Sequence, residues 1–331
     1  MRSIGTLLAL AGLALAVTLF AQADARAIFT LVAGAGAGLI LAGLFHILPM
    51  LLNALAWQAL LPGRTRTHRQ ATLFVMTCAV WVRESVNGLL PVARIGGEIV
   101  SYRLLRQQGL RGVLAAASLV VDMALSVLSQ LVFALAGVGL LIAAKGPGGL
   151  AGQLLLGLLI MVPAGMAFVL VQHAGAFETF ARGLNKLAAG RLVRSVDFSI
   201  RTDRAVRAMY GRRSALAACF GWQIAGWLAG AGEIWLALMF LDRPVGIATA
   251  MAIEALIQAA SSVAFLVPAA IGIQEGAFVV IGAAFGLDRT SALALASARR
   301  LRDVTIFFPG LLAWQWTEAR GAVPGWAKQR R

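Results

Sequence analysis

The side chains with the most chemistry to offer lie in Glu84-Ser-Val-Asn-Gly-Leu-Leu-Pro-Val-Ala-Arg-Ile-Gly-Gly-Glu98, a polar stretch inside an otherwise apolar run. Arg94 and Glu98 are four apart, one turn if the segment is helical, and so are spaced to pair. Gly96 and Gly97 between them permit a tight turn or a close backbone approach. An ionisable group deep in a bilayer costs about 2.5–3.5 kcal/mol or more and usually marks a polar pathway. The chemistry on offer is recognition of a polar head group, or a structural ion pair that pins a turn. A second stretch, Leu266-Val-Pro-Ala-Ala-Ile-Gly-Ile-Gln-Glu275, keeps the carboxylate but has Ile271 in place of an arginine. Its cations come later, in Arg299-Arg300-Leu301-Arg302-Asp303. An arginine there suits a charge-assisted, bidentate contact to phosphate, or an anchor at the membrane face.

Other polar residues read more simply. Glu233 and Glu254 lie in apolar runs, and Glu254 shares a helical face with Gln258, as a polar stripe toward a cavity or a structural hydrogen bond. His46, near Pro49 and Asn53, reads as packing at a helix kink. Trp222, Trp227, Trp235, Trp314 and Trp316 read as interfacial belt or packing. The sequence contains no P-loop, dinucleotide glycine fingerprint, G-x-S-x-G or aspartate-rich diphosphate motif. His46, His68 and His173 lack metal-ligand spacing, and Cys78 and Cys219 sit singly in apolar runs. No catalytic group, metal, cofactor or disulfide framework is expected.

The elements that hold these residues must live in lipid. Of 331 residues 60% are apolar and only 13% charged, with a mean hydropathy of +0.83, against about 25% charged in a soluble domain. This excludes a cytosolic enzyme, a secreted disulfide scaffold and a disordered chain. The net charge of +15, from 29 Lys+Arg and 14 Asp+Glu, fits cationic loops facing anionic lipid better than nucleic acid. Apolar blocks run over 4–23, 28–61, 71–107, 112–143, 150–172, 214–241, 245–287 and 290–317. A crossing needs roughly 20 apolar residues, so 71–107 and 245–287 are too long for one and too interrupted to be one helix.

The expected fold is therefore an all-α polytopic membrane protein. A single integral membrane domain over 1–331 would contain about eight long helices plus two broken or re-entrant segments. Arg64, Arg66 and Arg69, the basic stretch 175–213 and the tail Lys328, Arg330, Arg331 all fall in the cytoplasm if both overlong blocks cross twice. Both termini are then cytoplasmic. Residues 1–23 read as a retained first helix or a signal-like segment ending in Ala21-Gln22-Ala23. Within 175–213, Phe177, Phe180, Leu184, Leu187, Leu192 and Val193 recur among basic residues. That pattern suits an amphipathic helix on anionic inner-leaflet lipid, or an ordinary solvated loop.

Sliding the chain by 177 residues aligns it with itself. Pro91 meets Pro268, Ala93 meets Ala270, Glu98 meets Glu275, and Gly109-Leu110 meets Gly286-Leu287. The repeat halves are about 71–143 and 245–317. An odd number of crossings between copies makes the repeat inverted, and paired broken segments in inverted halves point to a transport site near the midplane. The same offset places Arg299 where Asp122 sits, so these two are candidates to pair across a pseudo-twofold axis.

Asn87-Gly-Leu-Leu-Pro-Val-Ala-Arg-Ile-Gly-Gly-Glu98 with Tyr102-Arg-Leu-Leu resembles the first motif of the lysylphosphatidylglycerol synthase transmembrane-region family, the flippase-like membrane proteins. Pro268-Ala-Ala-Ile-Gly-Ile-Gln-Glu-Gly276, with Arg299-Arg300-Leu301, resembles its second motif. The first motif is most similar to the hopanoid-associated HpnL branch. The resemblance covers roughly 28–318 and implies an inner-membrane protein with a lipid-translocating domain, Arg94, Glu98 and Glu275 holding the motif positions. Two features depart from the family. The larger synthases append a soluble aminoacyl-transfer domain, whereas this chain ends just after its last helix, so synthase activity is not implied. Gln274 stands where many relatives carry arginine.

The leading functional reading is a lipid flippase or transporter for hopanoids, glycolipids or phospholipids. Arg94, Glu98, Glu275, Arg299, Arg300, Asn87 and Gln274 form its head-group site, with Glu84, Asp122 and Glu254 as coupling or structural charges. The alternatives are a membrane-embedded enzyme that modifies a head group, and a non-catalytic scaffold for lipid-synthesis enzymes.

Overall fold

The computed structural model describes residues 2–63, 70–90, 96–146, 193–263 and 270–321, with isolated positions at 148–149, 152–153, 155 and 267. The helices are α1 (Arg2–Ala21), α2 (Ala25–Ala35), α3 (Ala37–Leu44), α4 (Ile47–Leu60), α5 (Leu73–Leu89), α6 (Gly96–Gln107) and α7 (Gly112–Lys145). After them come α8 (Val193–Tyr210), α9 (Arg213–Phe240), α10 (Ile247–Val263), α11 (Ile273–Ala284) and α12 (Arg289–Arg302). A π-helical turn (Asp303–Phe307) then leads into α13 (Phe308–Gly321). Among the described residues there is no strand. The chain is an all-α polytopic membrane protein, as its composition predicts.

Among the described residues, three helical stretches are long and apolar enough to cross a membrane alone: Ala37–Leu60, Gly112–Lys145 and Arg213–Phe240. Other described apolar helices are shorter, and the breaks between helices, including the one inside Ala37–Leu60, have local causes. Asp24 caps α2 by accepting from the Ala27 amide, and the chain bends by 89° between Leu10–Ala21 and Ala25–Ala35. Gly36, at φ +48°, ends α2. At Pro49 the missing amide leaves the Phe45 carbonyl without its usual partner four residues on. Leu48 N–H bonds Phe45 instead, at 3.0 Å, and His46 sits at the break between α3 and α4.

Helix boundaries follow the 177-residue spacing of the repeat. α6 and α11 are both 12 residues long and start at Gly96 and Ile273; α7 and α12 start at Gly112 and Arg289. The Gly-Leu pair between them closes the same motif in each copy. Gly109 and Gly286 both have φ +87°. Leu110 N–H bonds back to Leu105 at 3.1 Å, and Leu287 N–H to Gly282 at 2.9 Å. This is the Schellman ending, which needs a left-handed residue that glycine alone adopts without strain.

The chain divides into two compact units, one of residues 1–50, 78–101 and 228–331, the other of 51–77 and 102–227. In the second unit, one side of the 34-residue α7 carries Ser118, Asp122 and Ser129. They bond Trp57 Nε1 at 3.1 Å, Gln223 Nε2 at 3.0 Å and Trp227 Nε1 at 3.0 Å. Where lipid offers helices little hydrophobic drive to associate, such bonds and close packing hold them together. α8 packs on α7, burying Thr202, Val206 and Met209 while Arg201, Arg204 and Arg207 face outward. Val193 begins this helix, whereas Phe177, Phe180, Leu184, Leu187 and Leu192 lie outside the described residues. In the first unit α12 is the central element, packed against α2, α3 and α11.

Candidate functional site

The first unit gathers its charge around the end of α12. Asp288 starts this helix by accepting from the Ser291 amide at 3.1 Å. The run Ala292-Leu293-Ala294-Leu295-Ala296 is buried, its alanines letting neighbours approach closely. Arg299, Arg300 and Arg302 then fall in the last turn, where cations are favoured by the helix dipole.

Arg299 forks onto Glu254 of α10, one nitrogen in a very short contact and the other at 3.4 Å. Its Nε lies 3.7 Å from Glu233 of α9. The Arg299 and Glu254 side chains are each 2% exposed, so neither charge is tolerable without the other. Gln258 donates a further hydrogen bond to Glu254 at 2.8 Å. Arg302 pairs with Asp303 and reaches Glu233 at 3.3 Å. Its guanidinium also lies 5.0 Å from the Phe307 ring centre.

The π-helical turn follows at once. Pro309 has no amide to give, and its ring crowds the carbonyl four residues back; the widened turn lies directly before it. The Ile306 carbonyl in this turn accepts from Trp81 Nε1 at 2.7 Å. Such turns recur at functional sites in membrane and soluble helices alike.

His46 joins the same network from the α3–α4 break. Its Nδ1 is 2.8 Å from Glu233 and its Nε2 3.2 Å from Glu84 of α5. Arg302 Nη1 lies 3.3 Å from the same Nδ1.

The two motif glutamates occupy the third position of their helices. Glu275 accepts from the amide of Gly272 at 2.6 Å, the carboxylate half of a capping box. Its other oxygen takes Arg300 Nε at 2.8 Å, and Arg300 also reaches Asp303 at 3.5 Å. Gly272 has φ +81°, and a Cβ there would collide with the backbone of Gly12 in α1. Glu98 accepts from Asn87 Nδ2 at 3.3 Å and lies 3.9 Å from Arg83. Asn87 Oδ1 meanwhile accepts from the Gly97 amide at 2.9 Å, tying the end of α5 to the start of α6. Gln274 donates to Ser261 at 3.4 Å.

Of the residues singled out in the sequence, Glu84, Asn87, Glu98, Glu254, Gln274, Glu275, Arg299 and Arg300 all belong to this unit. Arg94, its spacing to Glu98, and both motif prolines Pro91 and Pro268 lie outside the described residues. Arg299 is engaged by Glu254, and buried Asp122, in the other unit, accepts from Gln223. The packing reading of His46 is corrected, since both of its ring nitrogens face carboxylates. Its signal was a polar side chain just before a proline inside an apolar span. Arg302, Asp303 and Glu233 carry more of the network than sequence reasoning assigned them. Beside Glu233 and Arg299 a cavity of ≈ 10 Å³ is lined by Leu39, Ala42, Gly43 and Leu295, about the room of one water.

No curated protein and no solved structure matches the chain. The family model described as the lysylphosphatidylglycerol synthase TM region matches residues 3–312. That span takes in every residue of the charged cluster, the whole first repeat copy and all but the last few residues of the second. By this match the chain belongs to the lysylphosphatidylglycerol synthase TM-region family, membrane proteins of lipid-modifying and flippase-like kind.

Proposed function

We propose that the protein translocates a lipid with a polar head group across the cytoplasmic (inner) membrane, with a link to hopanoid metabolism following from the motif's likeness to that branch. The observation that carries this reading is the network of Arg299, Arg300 and Arg302 with Glu233, Glu254, Glu275 and Asp303, held within a unit of apolar helices. Burying that many charges costs several kcal/mol per ion before pairing, more than helix packing alone requires. Arg300 is the cation a head group reaches first. Its side chain is 29% exposed while those of Arg299 and Arg302 are 2% and 8%. A lipid phosphate offers arginine the same bidentate acceptor geometry as the carboxylates it now holds. Head-group binding is thus an exchange of Asp303 or Glu275 for phosphate on Arg300, with the tails left in lipid. Asn87 and Glu98 form the corresponding corner of the first copy, Arg94 of the same motif is its proposed head-group cation, and Gln274 supports the second. Basic residues of 175–213 hold the inner leaflet, and both termini lie in the cytoplasm. Enzymes of lipid synthesis would supply or take up the substrate.

The test is leaflet exchange of a fluorescent phosphatidylglycerol in liposomes containing the purified chain. Arg300→Ala is expected to slow exchange at least about tenfold, the loss of roughly 1.4 kcal/mol or more of head-group interaction, and Arg300→Lys to restore only part of it. Equal rates in wild type and Arg300→Ala would remove this arginine from the mechanism. A covalently altered lipid formed in the same liposomes would assign the site to head-group chemistry instead.

A further inference from the structure

The surroundings of His46 have a feature that lipid recognition does not require. Carboxylate oxygens only accept hydrogen bonds, and a neutral imidazole has a single N–H. With Nδ1 2.8 Å from Glu233 and Nε2 3.2 Å from Glu84, only the doubly protonated ring donates to both. Arginine only donates, and Arg302 Nη1 lies 3.3 Å from the same Nδ1. When Nδ1 gives up its proton, its lone pair accepts from Arg302 while Nε2–H continues to serve Glu84. Both protonation states of the ring are hydrogen-bonded, which is what distinguishes a proton-exchange site from a fixed buried ion pair.

The groups that face the ring come from every element around it: Glu84 from α5, Glu233 from α9, Arg302 from α12, and the Phe307 ring edge at 5.6 Å from the π-helical turn. They are unequal in access. The Glu84 side chain is 24% exposed and that of Glu233 6%, so a proton arrives by way of Glu84, at Nε2. The change is also connected to the head-group cation. Arg302 holds Asp303, and Asp303 is shared with Arg300. When the ring draws Arg302 toward Nδ1, Asp303 is freed to hold Arg300 more closely; when Nδ1 is protonated, that hold relaxes.

We propose that His46 is a proton-binding site that couples proton movement to the lipid step. This rests on the transport reading above for its coupling partner, although proton binding itself can be measured without it. In the step, Glu84 hands one proton to Nε2 of the Nδ1–H ring, the doubly protonated ring donates to Glu84 and Glu233 at once, and the Nδ1 proton then passes to Glu233 as the freed lone pair of Nδ1 turns to Arg302.

The full chain is reconstituted in phosphatidylethanolamine–phosphatidylglycerol vesicles, with His68→Gln and His173→Gln so that His46 carries the only imidazole signal. Nitrogen NMR of the ring is expected to show both nitrogens protonated at about pH 5 and a single Nε2–H form at about pH 9. An imidazole that keeps one form throughout would overturn the proposal. Vesicles with a pH dye inside then test coupling. A proton gradient should speed exchange of fluorescent phosphatidylglycerol several-fold in the wild type, and His46→Gln should lose that acceleration. Acceleration unchanged in His46→Gln would also overturn it. Should His46→Gln fail to fold, the wild-type ring titration decides alone. A ring that titrates in vesicles where no lipid moves would sink the transport reading and leave the proton site standing, whereas moving lipid with a silent ring would do the reverse.

Discussion

α7 and the stretch from α12 through the π-helical turn to α13 occupy the same place in the two repeat copies, yet they are built for different work. α7 is one unbroken helix of 34 residues whose polar face carries Ser118, Asp122 and Ser129, each bonded to a neutral donor. Its counterpart starts at the equivalent residue but puts Arg299 where α7 has Asp122, adds Arg300, Arg302 and Asp303, and opens into a wide turn before Pro309. A ladder of two serines and one aspartate held by neutral donors fastens helices together and presents no cation to a ligand. A charged ladder beside a widened turn can trade partners, because each ion is held by several weaker contacts rather than by one fixed bond. One template thus carries an unbroken strut in one copy and, on the transport reading, a switchable site in the other.

The comparison breaks most visibly at the buried ions. Glu254→Ala strips Arg299 of its closest carboxylate at a 2% exposed position, and removing one member of such a pair costs about 3–5 kcal/mol. Asp122→Asn in the strut keeps an acceptor for Gln223 and should cost about 1 kcal/mol or less. Thermal unfolding in lipid nanodiscs reads both, and equal losses would contradict the assignment of strut and site. The next effect belongs to the second-copy corner. Gly272→Ala forces a Cβ into the Gly12 backbone at φ +81°, and about 2–3 kcal/mol is expected from strain and displacement together. Gly286→Ala meets only the left-handed strain of its Schellman ending, while Gly109→Ala also approaches the mobile end of Gln70 to 3.0 Å, which that side chain can relieve; each should lose about 1 kcal/mol. A large difference between those two would mean that the copies do not share this ending.

How much of this could be read from the residues follows the same division. Gly109, Gly286, Glu98 and Glu275 are legible because backbone geometry demands them locally: a left-handed ending and a carboxylate in the first turn are set by neighbours a few residues away. The charged stretches were likewise legible as foreign to lipid. Their partners were not. His46 meets Glu84 and Glu233 across separations of 38 and 187 residues, and helical periodicity tells which face is polar without telling which helix lies opposite. The same gap hid Glu254 as a partner of Arg299, since equivalence in a repeat places two residues in matching positions without saying what either of them meets. Only the break at Pro49 hinted that His46 stands where a helix opens.

The smallest expected effect sharpens the comparison at the helix starts. α12 begins at Asp288, whose carboxylate takes the Ser291 amide and hydroxyl, while α7 begins at Arg111 with no side-chain cap. These hydrogen bonds, the Ser291 hydroxyl first, hold the Asp288 carboxyl below its ordinary range. A depressed carboxyl stabilises the fold above its unfolded value, near 3.8, and loses that contribution as the pH falls through the lower folded value. Asp288→Ala should therefore cost about 1 kcal/mol at neutral pH, and the difference from wild type should vanish in strong acid. Arg111→Asp is the converse: it supplies α7 with the cap that its counterpart has, and should raise stability by up to about 1 kcal/mol at neutral pH. Unfolding measured at both pH values decides the matter, because a cap that acts through its ionised carboxylate must lose its advantage on protonation, whereas a gain that persists in acid would come from removing the arginine rather than from capping.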